Sequence, residues 1–140
     1  MTLHIKVVSP EKIIFEDDVD QVTAPTTTGE ITILPQHISL VTQLDHGELI
    51  IKKGKEEIPL VVAGGFLEVS NNIISVLADY AVQSHEIDAI KAEEAKKAAE
   101  QLMSEKTSGR DFAEAQSVFR RAILELKIAN RRKHRPNITG

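Results

Sequence analysis

Along the first 84 residues, apolar positions fall in short runs that alternate with polar ones and are cut by turn formers. The runs are Leu3 to Val8, Lys12 to Phe15, Val19 to Ala24, Glu30 to Leu34, Ile38 to Thr42, Glu48 to Lys52, Glu57 to Val62, Gly65 to Val69 and Ile73 to Leu77. Ser9-Pro10, Pro25, Thr28-Gly29, Pro35, His46-Gly47, Lys53-Gly54, Gly64-Gly65 and Asn71-Asn72 stand where the chain can reverse. β-Branched residues dominate the runs and suit a pleated surface, while Gly, Pro and Asn adopt turn dihedrals at low cost. So many short strands predict a sandwich or flattened barrel, because a single open sheet leaves one apolar face in water.

At Ser84 the periodicity changes. No Gly or Pro occurs from Ile87 to Lys106, and the segment is rich in Ala, Glu and Lys, which are strong helix formers. Ala92, Ala95, Ala99 and Leu102 follow one another in steps of three, four and three, which puts them on one helical stripe. Thr107-Ser108-Gly109 ends this helix, and Ser108 or Asp111 is placed to cap a second, with Glu114 completing a box-like pattern. The second helix carries Phe112, Ala115, Phe119, Ala122, Leu126 and Ala129, a three-four seam held along its length. Two such stripes joined by a short turn fold back most simply as an antiparallel hairpin. An alanine buries little, roughly 0.8 kcal/mol for a methylene-sized group. The hairpin is therefore expected to be marginal alone and movable, packing on itself, on the β part or on a partner. Pro136 ends the helical pattern. The expected organisation is α+β: a β domain over 1–84, a helical hairpin over 85–135 and a frayed tail over 136–140.

Length and charge add to this picture. A chain of 140 residues can bury one modest core or a compact domain with an appendage. The net charge of −4 is split, with 5 basic and 12 acidic side chains before residue 85, and 12 basic and 9 acidic from there on. From Arg120 onward, seven basic residues face the single acid Glu125, so the end of the chain seeks anions. There is no cysteine, hence no disulfide framework or thiolate site. No apolar run reaches the roughly 20 residues needed to cross a bilayer. The start Met1-Thr2-Leu3-His4-Ile5-Lys6 does not read as an export signal, so the chain is expected to stay where it is made.

Catalytic constellations are missing. His4, His37, His46, His85 and His134 show no metal-binding spacing, so no metal site is expected. Glu16, Asp17, Asp18 and Asp20 lack the glycine and closing glutamate of a calcium loop and read as a solvated turn. No phosphate-binding P-loop or nucleophile elbow occurs, and the chain alone is expected to turn over nothing. Nucleic-acid binding through the basic end is disfavoured. The β part is acidic, and four Phe, one Tyr and no Trp leave little to stack on bases.

Three stretches carry a family resemblance. Val8-Ser9-Pro10-Glu11 with Phe15-Glu16-Asp17-Asp18-Val19 is similar to the opening hairpin of the epsilon subunit of F-type ATP synthases. Gly29-Glu30-Ile31-Thr32-Ile33-Leu34-Pro35-Gln36-His37 resembles that family's G-E-x-G-x-x-P-G-H loop, with Thr32 and Gln36 where glycines are usual. Gly64-Gly65-Phe66-Leu67-Glu68-Val69 leading to Val76-Leu77-Ala78-Asp79 resembles G-G-F-L-E-V…V-L-A-D and is the most specific. The resemblance implies a ten-stranded β-sandwich with a two-helix C-terminal domain. It implies a non-catalytic rotor subunit at the foot of the central stalk, which binds the gamma subunit, rests on the c-subunit ring and restrains hydrolysis by the alpha and beta subunits. It further implies a peripheral position at the cytoplasmic face of a bacterial plasma membrane, or at a plastid thylakoid, since no transit peptide is recognised.

The same resemblance marks candidate residues. Glu30 and His37 flank the loop that faces the c ring and the gamma subunit; the plainer alternative is a turn glutamate and a solvated histidine. Ile87-Asp88-Ala89-Ile90-Lys91-Ala92 is similar to the I/L-D-x-x-R-A signature with which some members hold ATP, Arg121 closing on the phosphates. Lysine here lacks the planar fork of arginine, and Glu125 stands where nucleotide-binding relatives carry another arginine. No cofactor beyond weak regulatory ATP is therefore expected at Asp88, Lys91 and Arg121, and the alternative is an ordinary helix-start acid with a solvated lysine. Arg120, Arg121, Lys127, Arg131, Arg132 and Lys133 form a basic face that either meets an acidic segment of the beta subunit or is simply solvated.

Overall fold

The computed structural model describes residues 2–105 and 109–134, with side chains as far as Arg131. The expected turn at Thr107-Ser108, the side chains of Arg132 and Lys133 and the tail 136–140 lie outside the described residues. The chain divides into two compact units at Gln83/Ser84.

Alternating burial builds the first unit. In β1 (Leu3–Val8), Leu3, Ile5 and Val7 are buried while His4, Lys6 and Val8 turn outward, as a period of two demands. β2 (Ile13–Val19), β5 (Leu40–Gln43), β8 (Gly65–Ser70) and β9 (Ile73–Ala78) join β1 in a sheet of order β2-β1-β9-β8-β5. Within it β1 and β9 run parallel, whereas β1–β2, β9–β8 and β8–β5 are antiparallel. The second sheet has the order β10-β7-β6-β3-β4, from β3 (Gln21–Thr26), β4 (Gly29–Ile33), β6 (Gly47–Lys53), β7 (Glu56–Val62) and β10 (Ala81–Gln83). Leu3, Ile5, Leu67 and Ile74 of the first sheet and Leu49, Ile51 and Leu60 of the second belong to one core cluster, all fully buried. Each buried leucine of this kind contributes about 1.5–3 kcal/mol.

The ten-stranded sandwich is thus present, with three departures from the residue pattern. β2 runs on through Glu16, Asp17 and Asp18, which are strand residues and not a solvated turn; only Asp20 lies beyond the strand. Cross-strand partners, described below, make those charges compatible with a ladder. β10 has three residues, too few for a periodic signal, and pairs Ala81 to Gln83 with Val62 to Leu60. β5 begins at Leu40, two residues later than expected, which leaves Ile38 in the preceding loop.

One glycine is required by packing. Gly65 has φ +118°, and a Cβ there would lie 2.1 Å from the Leu77 carbonyl oxygen, so β8 meets β9 at backbone contact.

In the second unit a single 3-10 turn (Ser84–Glu86) leads to α1 (Ala89–Glu105) and α2 (Arg110–His134). Asp88 starts α1: its Oδ1 accepts from the amides of Ile90 (3.0 Å) and Lys91 (3.2 Å), the bonding of an N-cap. Asp111 does not cap α2; it lies within the first turn, where its charge favours the helix dipole. Ala92 and Ala99 of α1 and Ala115, Ala122 and Ala129 of α2 are buried at heptad spacing, and Ile128 joins them. An apolar cleft of about 400 Å³ stays open beside the seam, between Ala95, Ala99 and Leu102 of α1 and Ala115 and Val118 of α2.

Candidate functional site

The register of the first sheet lines up its outward side chains in rows. Phe66 pairs with Leu77, Leu77 with Val8 and Val8 with Ile13, so four strands contribute one apolar row across the outer face. Phe66 is 55%, Leu77 61% and Ile13 54% exposed, and Val41 on β5, beside Glu68, adds a further 69% exposed side chain. Two residues along, the next row reads Glu16, Lys6, Ser75, Glu68 and Val41; the one after begins with Asp18, His4 and Ile73. Water-facing rows of a half-buried sheet are ordinarily polar, so a continuous apolar row beside a charged one is the pattern of a covered surface.

At the Asp18 end, His4 lies between two carboxylates of β2. Its Nδ1 is 2.8 Å from Asp18 Oδ1 and its Nε2 3.0 Å from Glu16 Oε2. The hydrogen bond to Glu16, followed by that to Asp18, raises the imidazole above its ordinary value. Asp17, on the alternate face of the strand, accepts from the Lys53 ammonium of β6. That bond holds its carboxyl below the usual range and raises Lys53 in turn.

The loop between β4 and β5 holds a second exposed apolar group, Leu34 (52%) and Ile38 (80%). Gln36 has φ 70°, the left-handed region that suits the glycine found there in the resembled pattern, and its amide donates to Asn72 Oδ1 at 2.6 Å. Thr32 needs no such freedom, since it sits in β4 with its hydroxyl 3.2 Å from that of Thr23. The His37 Nδ1 donates to the Ile38 carbonyl (2.7 Å), which fixes the orientation of the ring. Glu30 is exposed on β4, the last strand of the second sheet, opposite Pro25.

On the helices, Asp88 is committed to capping and Lys91 is exposed one turn on. Arg120, Lys127 and Arg131 are exposed and, at about 100° per residue, share one stripe of α2; Arg121 is half-buried, a quarter turn round. Among the described residues, no group of three His, Cys, Asp or Glu side chains is arranged to hold a metal ion.

Glu30 and His37 stand out in the sequence, whereas the apolar row and the exposed Leu34 and Ile38 do not. Alternation alone gives the parity of Val8, Phe66 and Leu77. Their alignment into a row follows only from strand order and register, above all the parallel pairing of β1 with β9.

Comparisons with known proteins cover nearly the whole chain. Residues 2–84 match the family described as ATP synthase, Delta/Epsilon chain, beta-sandwich domain, and residues 85–130 the one described as ATP synthase, Delta/Epsilon chain, long alpha-helix domain. An ATP synthase epsilon chain from Dehalococcoides mccartyi strain CBDB1 is 45% identical over 137 residues, covering 97% of this chain and 98% of that one. Another, from Herpetosiphon aurantiacus, is 38% identical over 135 residues, covering 96% and 99%. Among solved structures, a chain of the Euglena gracilis mitochondrial ATP synthase (OSCP/F1/c-ring) shares the fold with a TM-score of 0.70 at 24% identity, covering 92% of this chain and 81% of that one.

Proposed function

The chain belongs to the ATP synthase epsilon-chain family, and on that premise we propose that it acts as a rotor component of the central stalk, linking the gamma subunit to the c-subunit ring. In this role it supports the coupling of proton flow to ATP synthesis and restrains ATP hydrolysis through its C-terminal helices. It performs no catalysis itself; the family supplies a structural and regulatory subunit.

The observation that carries this reading is the outward apolar row Ile13, Val8, Leu77 and Phe66, a surface suited to burial against a protein partner. We assign it to the gamma subunit. Leu34 and Ile38, exposed in the loop that carries His37, suit the c ring, and Glu30 on β4 is assigned to the same contact. The stripe Arg120, Lys127 and Arg131 suits an acidic segment of the beta subunit, reached when the hairpin extends towards the catalytic alpha and beta subunits. The thin alanine seam supports such movement, because little packing is lost on opening. The subunit is peripheral to the membrane through its complex, at the cytoplasmic face of a bacterial plasma membrane; no described helix is long and apolar enough to cross. Regulatory ATP at Asp88, Lys91 and Arg121 is weak in this reading, since Asp88 Oδ1 already caps α1.

Two measurements test the proposal. Leu77→Asp is expected to weaken binding to gamma about tenfold or more, as loss of a central anchor does; unchanged affinity removes the assignment of the row. ATP hydrolysis by the matching catalytic complex is then compared with the full chain and with a version ending at His85, after both are shown to bind gamma. Hydrolysis that rises on truncation supports inhibition by the hairpin, and equal activity refutes it.

A further inference from the structure

We propose that His4, Glu16 and Asp18 form a proton-operated latch on the edge strand β2, closed when one imidazolium holds both carboxylates and opened when His4 loses its proton. The geometry requires the charged ring. Each ring nitrogen faces its own carboxylate, at 2.8 and 3.0 Å, and ionised carboxylates only accept hydrogen bonds. A neutral imidazole has one N–H, so its second nitrogen would turn a lone pair towards a carboxylate. Both contacts exist together only in the protonated state.

Position makes the latch consequential. β2 is the outermost strand of its sheet and pairs with β1 alone, and a bulge between Val7 and Val8 already interrupts the far end of that ladder. The His4↔Asp18 and Lys6↔Glu16 pairs lie at the near end, on the outer face. Around His4, β1 presents Lys6 two residues along, opposite Glu16, and β9 presents the uncharged Ile73 and Ser75. On the alternate face, Asp17 is tied to Lys53 of β6. With Asp17 depressed and Lys53 raised, that tie stays ionised while an imidazole titrates.

The shift of His4 has the matching sign. Its value is raised in the folded chain, so the stabilisation is full below the unfolded value and is lost as pH rises through the folded one. β2 also supplies Ile13 to the apolar row, so loosening reaches that surface, although the latch does not depend on which partner covers it.

The test uses the full-length chain without partners. The His4 ring is titrated by NMR, and amide hydrogen exchange is followed across the same pH range after correction for intrinsic base catalysis. The ring is expected to titrate above the ordinary imidazole value, and β2 amides to lose protection through that midpoint while those of the internal strand β8 do not. Glu16→Gln keeps the ring and removes one charge, and should move the His4 midpoint down. An ordinary midpoint, β2 protection indifferent to pH, a loss shared equally by β8, or a midpoint unmoved by Glu16→Gln each overturns the latch.

Discussion

Leu49, Leu60 and Leu67 fill the space between the two sheets, whereas Ala92, Ala99, Ala115 and Ala122 fill the space between the two helices. Leu49 alternates with Ile51 and Leu67 with Val69 at the strand period, and the alanines recur every seven residues along each helix, so each unit has a defined inner face. What differs is the free energy held there: about 1.5–3 kcal/mol per buried leucine against roughly 0.8 for a methyl-sized group. Periodicity therefore fixes the shape of both units, while side-chain volume decides which of them can be remodelled cheaply. The role proposed above, gripping neighbours while moving an arm, draws on both kinds of packing in one chain.

Substitutions can break or sharpen that contrast, because Tyr80, the single tyrosine, reports on the sandwich by fluorescence and far-UV circular dichroism reports on the helices. The largest loss is expected from Gly65→Ala, whose Cβ has no room beside the Leu77 carbonyl at a φ of +118°. Urea denaturation followed through Tyr80 should show a loss of more than about 4 kcal/mol, or no folded sandwich. Leu67→Ala should cost about 3 kcal/mol by the same readout, since it leaves a cavity among fully buried neighbours. Ala122→Leu overpacks the seam and should cost about 1–3 kcal/mol, seen as helix loss by circular dichroism with the Tyr80 transition unmoved. A Tyr80 midpoint that falls in step would mean that the two units do not melt separately. Asp88→Ala should cost about 1 kcal/mol through loss of the cap, read as faster amide exchange in the first turn of α1. The smallest effect is an acid one. The carboxyl of Asp17 is depressed by Lys53, so the contribution of that pair is present above the unfolded value and fades as pH falls through the folded one. Lys53→Met should remove this acid dependence from the Tyr80 transition.

Much of this could be read from the chain because local and tertiary demands agree there. Leu3, Ile5 and Val7 alternate in the sequence and are buried alternately, and the alanines spaced by seven do line the helix seam. Where the reading departed from the structure, a partner distant in sequence decided the outcome. Glu16, Asp17 and Asp18 look like a turn until His4 and Lys53 are placed beside them, and the two basic partners come from different sheets. Ala81 to Gln83 form a strand because β7 offers an edge, a fact their own three residues do not contain. Of the proposed site residues, Asp88 could be recognised as a helix start, whereas the row formed by Phe66, Leu77, Val8 and Ile13 depends on a register that no single segment encodes.

The parallel pairing of β1 with β9 also dictates an order of events during synthesis. β1 lies between β2 and β9, so His4 gains its neighbour Ile73 only when the seventies have left the ribosome. Until then β1 has β2 alone beside it in its sheet, and an isolated hairpin is marginal in water. Such long-range closure is slow compared with the local contacts of two successive helices. The unit that emerges first is thus set to finish its assembly late, while the arm that follows it can coil as soon as it is made.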